Sequence, residues 1–410
     1  MRIHMKKERK PFEPRKPQQV QLSEDHKRLR IIAFVAVLAL ALTAFAFGIY
    51  YIVHKDPGWR EVTVKDQAMD TCAGSFHFQY KMGSGGAAEY KKVQQVYTDD
   101  CVYMEAVFSL ESSAMVPGNL YSVDQAPNQT VEVDPVLYQA LAKMQEAGSR
   151  ALYLAPVYAY YENLFQCSED WETESFDPYQ NAEVAEDVAN ICAFIQDPEM
   201  IDIELLGENK VCLKVAEEYQ TYAEENEIVH FIDFYWMKNA FILDHLADTL
   251  IQEGFTSGYI TSVDGFSASL GDCGELYTTQ VYDLAEDGVY AAAVLQYGEA
   301  RRVAALHDYT TTETLGDYFY TFEDGTIRTP YIDPKDGLCK SSMHDLLVYG
   351  DSCQDILLQA FPVFIGASDD MTALEGVIYC KDRVIYHKEN AELSQIFSND
   401  ELQYQEEIIP

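Results

Sequence analysis

The sequence predicts an α+β fold, in which mixed sheets pack with helices, preceded by one transmembrane helix. Segments with the three-to-four-residue spacing of amphipathic helices are interspersed with segments that alternate like strands. These segments do not follow the strict strand–helix–strand order of a parallel α/β sheet. A long apolar stretch precedes all of them.

Residues 31–53 are uninterrupted apolar sequence without charge or proline. Twenty-three helical residues exceed the roughly 30 Å hydrocarbon core of a bilayer. Residues 1–30 contain ten Lys or Arg and four acidic residues, so the positive-inside rule predicts a cytoplasmic N-terminus and an extracellular main domain. A cleaved signal peptide is the alternative, but its apolar core spans only about 7–15 residues. We therefore expect a single-pass anchor in the cell membrane.

The predicted organisation has four parts: a basic cytoplasmic tail at 1–30, the transmembrane helix at 31–53, an extracytoplasmic domain at 54–388 and an acidic, aperiodic tail at 389–410. Beyond residue 30 the chain has 19 basic and 63 acidic residues. Such a surface excludes electrostatic binding of nucleic acid. Nine cysteines occur without a CxxC motif. Disulfides and buried thiols are both compatible with this pattern, and the pairing stays open.

Periodicity and turn signals place the elements of the domain in order. Strands are predicted within 61–80, 201–205, 211–215, 258–262, 289–297, 302–307 and 376–386. Helices are predicted at about 90–108, from Asp134-Pro135, from Asp177-Pro178, at 239–252 and at 352–364. Asp before Pro is a typical helix start, and Gly254 is a typical helix stop.

Six modest motifs occur in order between about residues 60 and 370. They are Met69-Asp70-Thr71, Thr130–Leu141, Ile232–Asp244, Val263-Asp264-Gly265, Tyr331–Gly337 and Asp355–Gly366. In this order they resemble the motifs of the FAD:protein FMN transferase (ApbE) family. Each motif is weak alone, since an Asp-Pro-x-x-Gly segment is also an ordinary turn. The combination is what predicts an ApbE-like fold.

The resemblance implies an enzyme that divides FAD at its pyrophosphate and attaches FMN to a threonine or serine of a partner protein. It implies FAD and Mg²⁺ as cofactors and a redox or flavin-carrying protein outside the cytoplasm as partner. Mg²⁺ held by oxygen ligands would neutralise the pyrophosphate. The implied metal ligands are Asp355 and Gln359. The implied cofactor-binding residues are Met69, Tyr153, Asn239 and Asp244.

Several of these positions depart from the family pattern. Tyr235 and Trp236 stand where the family has two small glycines, and Asn239 stands where it has lysine. Gln359 replaces the metal-binding threonine, and Tyr153 replaces a carboxylate that helps to hold flavin. Large side chains at a glycine turn obstruct the close approach of backbone to phosphate.

We therefore interpret the chain as a catalytically weak or silent relative that serves as a binding or scaffold module. The alternatives are an active Mg²⁺-dependent FMN transferase and an unrelated surface or sensor domain. The individual residues also have structural alternatives. Asp355 suits the first turn of a helix, Asp233 and Asp244 suit caps, and the two aromatic residues either stack on a flavin or fill the core.

Overall fold

The computed structural model describes Val37, Thr43 and residues 58–65, 71–83, 85–285, 288–309, 318–391, 393–397 and 402–409. Apart from Val37 and Thr43, the predicted cytoplasmic tail and membrane helix lie outside these residues. Among the described residues, no helix is both long and apolar enough to cross a bilayer. The described residues from 58 to 409 belong to one compact unit.

A sheet of nine strands forms the centre of the described domain. Its order is β1 (Trp59–Val62), β2 (Phe76–Lys81), β6 (Gly258–Ser262), β7 (Phe266–Ser269), β10 (Arg301–His307), β13 (Asp345–Gly350), β14 (Gly376–Lys381), β15 (Val384–His387) and β17 (Gln405–Ile408). Neighbouring strands are antiparallel, except that β15 and β17 are parallel.

Smaller sheets complete the strand inventory of the described residues. One has the order β16 (Leu393–Ile396), β9 (Gly288–Tyr297) and β8 (Tyr277–Ala285). A second has the order β3 (Thr130–Glu132), β5 (Lys210–Val215) and β4 (Ile201–Gly207), and a two-stranded one joins β11 (Tyr320–Thr321) and β12 (Ile327–Arg328). Strands β4 and β5 form the hairpin that the sequence predicts.

Nine α-helices lie in the part of the chain that the structure describes. They are α1 (Gly86–Phe108), α2 (Leu120–Asp124), α3 (Pro135–Glu146), α4 (Ala155–Phe165), α5 (Asp170–Thr173), α6 (Ala182–Gln196), α7 (Glu217–Glu225), α8 (Lys238–Gln252) and α9 (Cys353–Phe364). Helix α8 packs on β6 and β7, and α9 packs on β7, β10 and β13. The sequence-predicted helices at 239–252 and 352–364 are therefore found within one residue of their predicted starts.

Strand β13 is covered on both faces because four consecutive residues, Leu346–Tyr349, are apolar and buried. Leu346 and Val348 belong to the core beneath the helices, whereas Leu347 and Tyr349 belong to a second core beneath β8 and β9. Successive side chains of a strand point to opposite faces. A strand apolar on both faces must lie between two layers, which makes this an α+β fold with mixed sheets.

Three local predictions are wrong. The third helix begins at Ala182 with Asn181 as its cap, not at Asp177, because Asp177 is fully buried and accepts hydrogen bonds from Arg328 at 2.9–3.2 Å. The strand predicted within 61–80 is interrupted by a 3₁₀ helix at Cys72–Ser75. The tail at 389–410, predicted to be aperiodic, contains β16 and β17, whose backbone groups pair with β9 and β15.

Candidate functional site

The turn before α8 keeps a glycine-like backbone at Tyr235. Its φ is +50°, a left-handed conformation that costs a residue with a side chain about 1–2 kcal/mol. The Asp233 carboxylate accepts a hydrogen bond from the Tyr235 backbone N–H at 2.8 Å and so fixes the turn. A tyrosine therefore occupies a backbone conformation suited to glycine.

The two aromatic side chains of this turn are buried against other aromatic rings. Tyr235 is 5% exposed and stacks on Tyr158 with 4.6 Å between ring centroids. Trp236 is 1% exposed. The rings packed around Trp236, at centroid distances of 5.1–5.9 Å, are Phe266, Tyr331 and Phe361. Both residues fill core, and their ring faces are covered by protein rather than open to a flavin.

Asn239 holds a buried carboxylate. It is fully buried, and its side-chain amide donates to Asp264 Oδ2 at 2.9 Å. Ser262 Oγ donates to the other Asp264 oxygen at 2.5 Å. Burial raises the pKa of Asp264 to about 6. The side-chain NH₂ group of Asn239 is therefore engaged by the buried Asp264. Among the described residues, no partner is found for its Oδ1 atom.

Asp244 connects three elements through its two oxygens. Oδ1 accepts from Arg302 Nε at 3.1 Å and from the Cys353 N–H at 2.9 Å. Oδ2 accepts from Ser352 Oγ at 2.9 Å and from the Gln354 N–H at 3.0 Å. Asp244 lies in α8, yet it caps the N-terminus of α9, where backbone N–H groups lack helical partners. Its oxygens are therefore engaged by protein donors.

Tyr153 is also engaged within the protein. Its hydroxyl donates to Asp202 Oδ1 at 2.9 Å and accepts from the Ile203 N–H at 3.0 Å. The Arg150 guanidinium lies 4.1 Å from the ring centroid. These contacts tie the 3₁₀ helix Arg150–Leu154 to β4. Met69, the remaining predicted cofactor-binding residue, lies outside the described residues.

Asp355 and Gln359 do lie together, in a cleft of about 600 Å³ beside the start of α9. Lys143, in the last turn of α3, donates from Nζ to Asp355 Oδ1 at 2.6 Å. Glu146, Asp351 and Glu375 also line the cleft. Lys143 was not predicted as a partner of Asp355, because 212 residues separate the two and no local pattern connects them.

The side chains around Asp355 do not fit a Mg²⁺ site. Mg²⁺ requires near-octahedral oxygen ligands and loses its waters reluctantly. Here an ammonium group occupies one oxygen of Asp355, and Ser352 Oγ is turned to Asp244. In the part of the chain that the structure describes, no group of three or more His, Cys, Asp or Glu side chains is arranged to hold a metal ion.

The Asp-Pro-x-x-Gly motif forms a tight turn. The Gly337 and Asp336 N–H groups donate to the Asp333 carbonyl at 2.8 and 3.3 Å. Lys340 Nζ donates to the carboxylates of Asp333 and Asp336 at 2.7 and 2.5 Å. Gly337 has φ +70°, and a Cβ there would lie 2.2 Å from a Val188 methyl carbon. Only glycine fits this close approach, so packing accounts for the motif.

Comparison with known proteins supports the fold. No family model matches the sequence, and no curated protein matches it. The crystal structure of the ApbE protein from Thermotoga maritima superposes with a TM-score of 0.54 at 12% identity, covering 82% of this chain and 97% of that one. Flavin transferase ApbE from Vibrio cholerae gives 0.51 at 14% identity, covering 79% and 95%. A single-site variant of that enzyme gives 0.52 at 14%, covering 81% and 97%. The chain has an ApbE-like fold.

Proposed function

We propose that this protein is a membrane-anchored binding or scaffold module with an ApbE-like fold and little or no flavin-transferase activity. The apolar segment at 31–53 would anchor it, and the acidic domain would act outside the cytoplasm. Its partner would be a redox or flavin-carrying protein at the same membrane face. The observation that carries the proposal is the ion pair between Lys143 and Asp355.

This ion pair supports loss of metal chemistry for an electrostatic reason. The Lys143 ammonium supplies the positive charge that a divalent cation would otherwise bring to Asp355. A cation that used Asp355 Oδ1 as a ligand would have to displace the ammonium. Both side chains are about 40% exposed, so solvent screens the pair, and its strength is at most about 1 kcal/mol. Lys143 therefore weakens Mg²⁺ binding several-fold rather than abolishing it alone.

Two further features support the proposal. Tyr235 and Trp236 are buried among aromatic rings at positions that resemble the family's glycine turn. Asp244 and Asn239, two predicted cofactor-binding residues, use their polar atoms to hold α9 and Asp264. A flavin would have to displace several of these interactions. Because a shared fold does not imply a shared activity, an ApbE-like fold is compatible with a role other than flavin transfer.

The direct test measures Mg²⁺ binding to the full chain and to its Lys143→Ala variant by isothermal titration calorimetry in detergent. We expect weak binding by the wild-type chain and two- to fivefold tighter binding by the variant, from removal of a pair of up to about 1 kcal/mol. Lys92→Ala is the matched control, because Lys92 forms an exposed pair with Glu253 instead. Tight binding by the wild-type chain that is lost in an Asp355→Ala variant would favour the active transferase.

A further inference from the structure

A groove lies beside α4, apart from the cleft that contains Asp355. It consists of two adjoining cavities of about 560 and 660 Å³, whose lining residues come from α4, α5, α6, α7 and nearby loops. Asn163, Ser175 and Phe176 line both cavities, so the two are continuous. The groove shares no lining residue with the Asp355 cleft. None of the predicted site residues that the structure describes lines it either.

Apolar and aromatic side chains are exposed along this groove. Trp171 lines one cavity and is 74% exposed, and Val229 lines the other and is 68% exposed. Partly exposed apolar and aromatic residues of the groove are Tyr160, Phe176, Tyr222 and Ile228. Exposed apolar side chains that gather in one place and are rimmed by polar groups mark interaction sites. Tryptophan and tyrosine are among the residues that supply most of the binding energy at such sites.

The short helix that carries Trp171 is attached firmly to the domain. Asp170 accepts hydrogen bonds from the Tyr320 hydroxyl and from the Glu323 N–H, both at 3.0 Å. Thr173 is fully buried, and its hydroxyl donates to the Asp170 carbonyl at 2.6 Å. The exposure of Trp171 is therefore combined with a fixed backbone. A partner that contacts this ring pays little entropy for ordering the helix.

The charges of the groove select the kind of partner. Its carboxylates are Glu172, Glu174, Asp187 and Glu227. Among the described residues, no Lys or Arg lines either cavity, and the lining His230 is paired with the buried Asp124 at 2.8 Å. An anionic surface would be repelled here, whereas a cationic one is attracted. Aromatic rings also attract the ammonium and guanidinium groups of lysine and arginine.

We propose that this groove binds a basic segment of a partner protein, in which lysine or arginine alternates with apolar residues. The basic side chains meet the carboxylates, and the apolar ones pack against Trp171 and Phe176. Each cavity alone has the size of a small-molecule site, and two continuous cavities of this size suit a polypeptide segment. The inference rests on the proposed role as a binding module, and it names the surface that serves this role.

The test uses the full chain in detergent and a short, fluorescein-labelled synthetic peptide in which lysine and leucine alternate. Fluorescence anisotropy measures its affinity. Two control peptides replace either every leucine with serine or every lysine with glutamate. We expect the lysine–leucine peptide to bind at least about tenfold more tightly than either control, because the groove requires both positive charge and apolar contacts.

Substitutions locate the binding surface. Trp171→Ala should weaken binding of the lysine–leucine peptide about tenfold or more, and Glu227→Gln should weaken it about two- to fivefold. The matched controls are Leu276→Ala, at an exposed apolar residue outside the groove, and Glu208→Gln, at an exposed acid outside the groove. Both controls should bind like the wild type. Thermal unfolding checks that all four variants remain folded.

Three results would overturn the proposal. The first is equal affinity of the wild type and Trp171→Ala. The second is equal binding of the lysine–leucine and lysine–serine peptides, which would show only general attraction to an acidic protein. The third is self-association in sedimentation velocity that Trp171→Ala abolishes, because a second copy would then fill the groove. Flavin transfer is measured separately, so a covalent flavin product would refute the proposed loss of activity and leave the result for the groove unchanged.

Discussion

Replacing Asp244 with asparagine should destabilise the domain strongly, whereas the same change at Asp248 should not. Both carboxylates pair with the Arg302 guanidinium, at 3.1 and 2.7 Å. They differ in burial, because the side chain of Asp244 is 7% exposed and that of Asp248 is 62% exposed. The two substitutions therefore compare an ion pair with Arg302 in a buried and in an exposed environment, and both carboxylates lie on α8.

The expected loss in the free energy of unfolding follows from the four hydrogen-bond donors that contact Asp244. An asparagine has one acceptor oxygen, so its NH₂ group would face N–H or O–H donors at the start of α9 or the Arg302 guanidinium. Removing one partner of a buried ion pair costs about 3–5 kcal/mol. The exposed Asp248 pair contributes about 0–1 kcal/mol. Urea unfolding followed by tryptophan fluorescence measures both values. Similar losses for Asp244→Asn and Asp248→Asn would refute the assigned structural role of Asp244.

Two further predictions concern buried titratable groups. Burial raises the pKa of Asp345 to about 7, so the folded state keeps its proton to a higher pH than the unfolded chain does. This contribution to stability is complete below about pH 4 and is lost as the pH rises through about 7. Asp345→Asn keeps a neutral acceptor for the Tyr282 N–H. Relative to this variant, the wild type should lose about 2–3 kcal/mol of unfolding free energy between about pH 5 and pH 8, measured by urea titration; parallel pH profiles would contradict this. Tyr235→Phe should change the free energy of unfolding by less than about 1 kcal/mol, because no partner for the Tyr235 hydroxyl is found among the described residues. Tyr153→Phe should lower the free energy of unfolding by about 1–3 kcal/mol, because the Tyr153 hydroxyl has two hydrogen-bond partners. Equal losses in thermal unfolding would show that the two hydroxyls are not distinguished in this way.

Much of the fold can be predicted from local patterns. Helices α8 and α9 and the β4–β5 hairpin have clear periodicity, and their predicted positions agree with the structure. Strands β8 and β13 were not predicted from the sequence. Strand β13 is apolar on both faces, so the alternation that identifies a half-buried strand is absent.

The site was less predictable, because its main interactions connect distant parts of the chain. The sequence is compatible with Asp244 as a helix cap, but the helix that it caps is α9, which begins more than one hundred residues later. Lys143 and Asp355 are 212 residues apart, and the Asp177–Arg328 pair spans 151. Such pairs follow from tertiary packing, which single-sequence periodicity does not describe. The positive φ of Tyr235 was likewise not predicted, because a tyrosine in the sequence does not indicate a left-handed backbone conformation.

Flavin transfer tests the central proposal most directly. The full chain in detergent is incubated with FAD, Mg²⁺ and an acceptor protein that carries a flavinylation threonine, and covalent flavin is detected by fluorescence on a denaturing gel. Flavin transferase ApbE from Vibrio cholerae serves as the positive control with the same acceptor, and an acceptor without the threonine serves as the negative control. We predict no fluorescent acceptor band with this protein. A threonine-dependent band comparable to that of the positive control would contradict the proposed loss of activity.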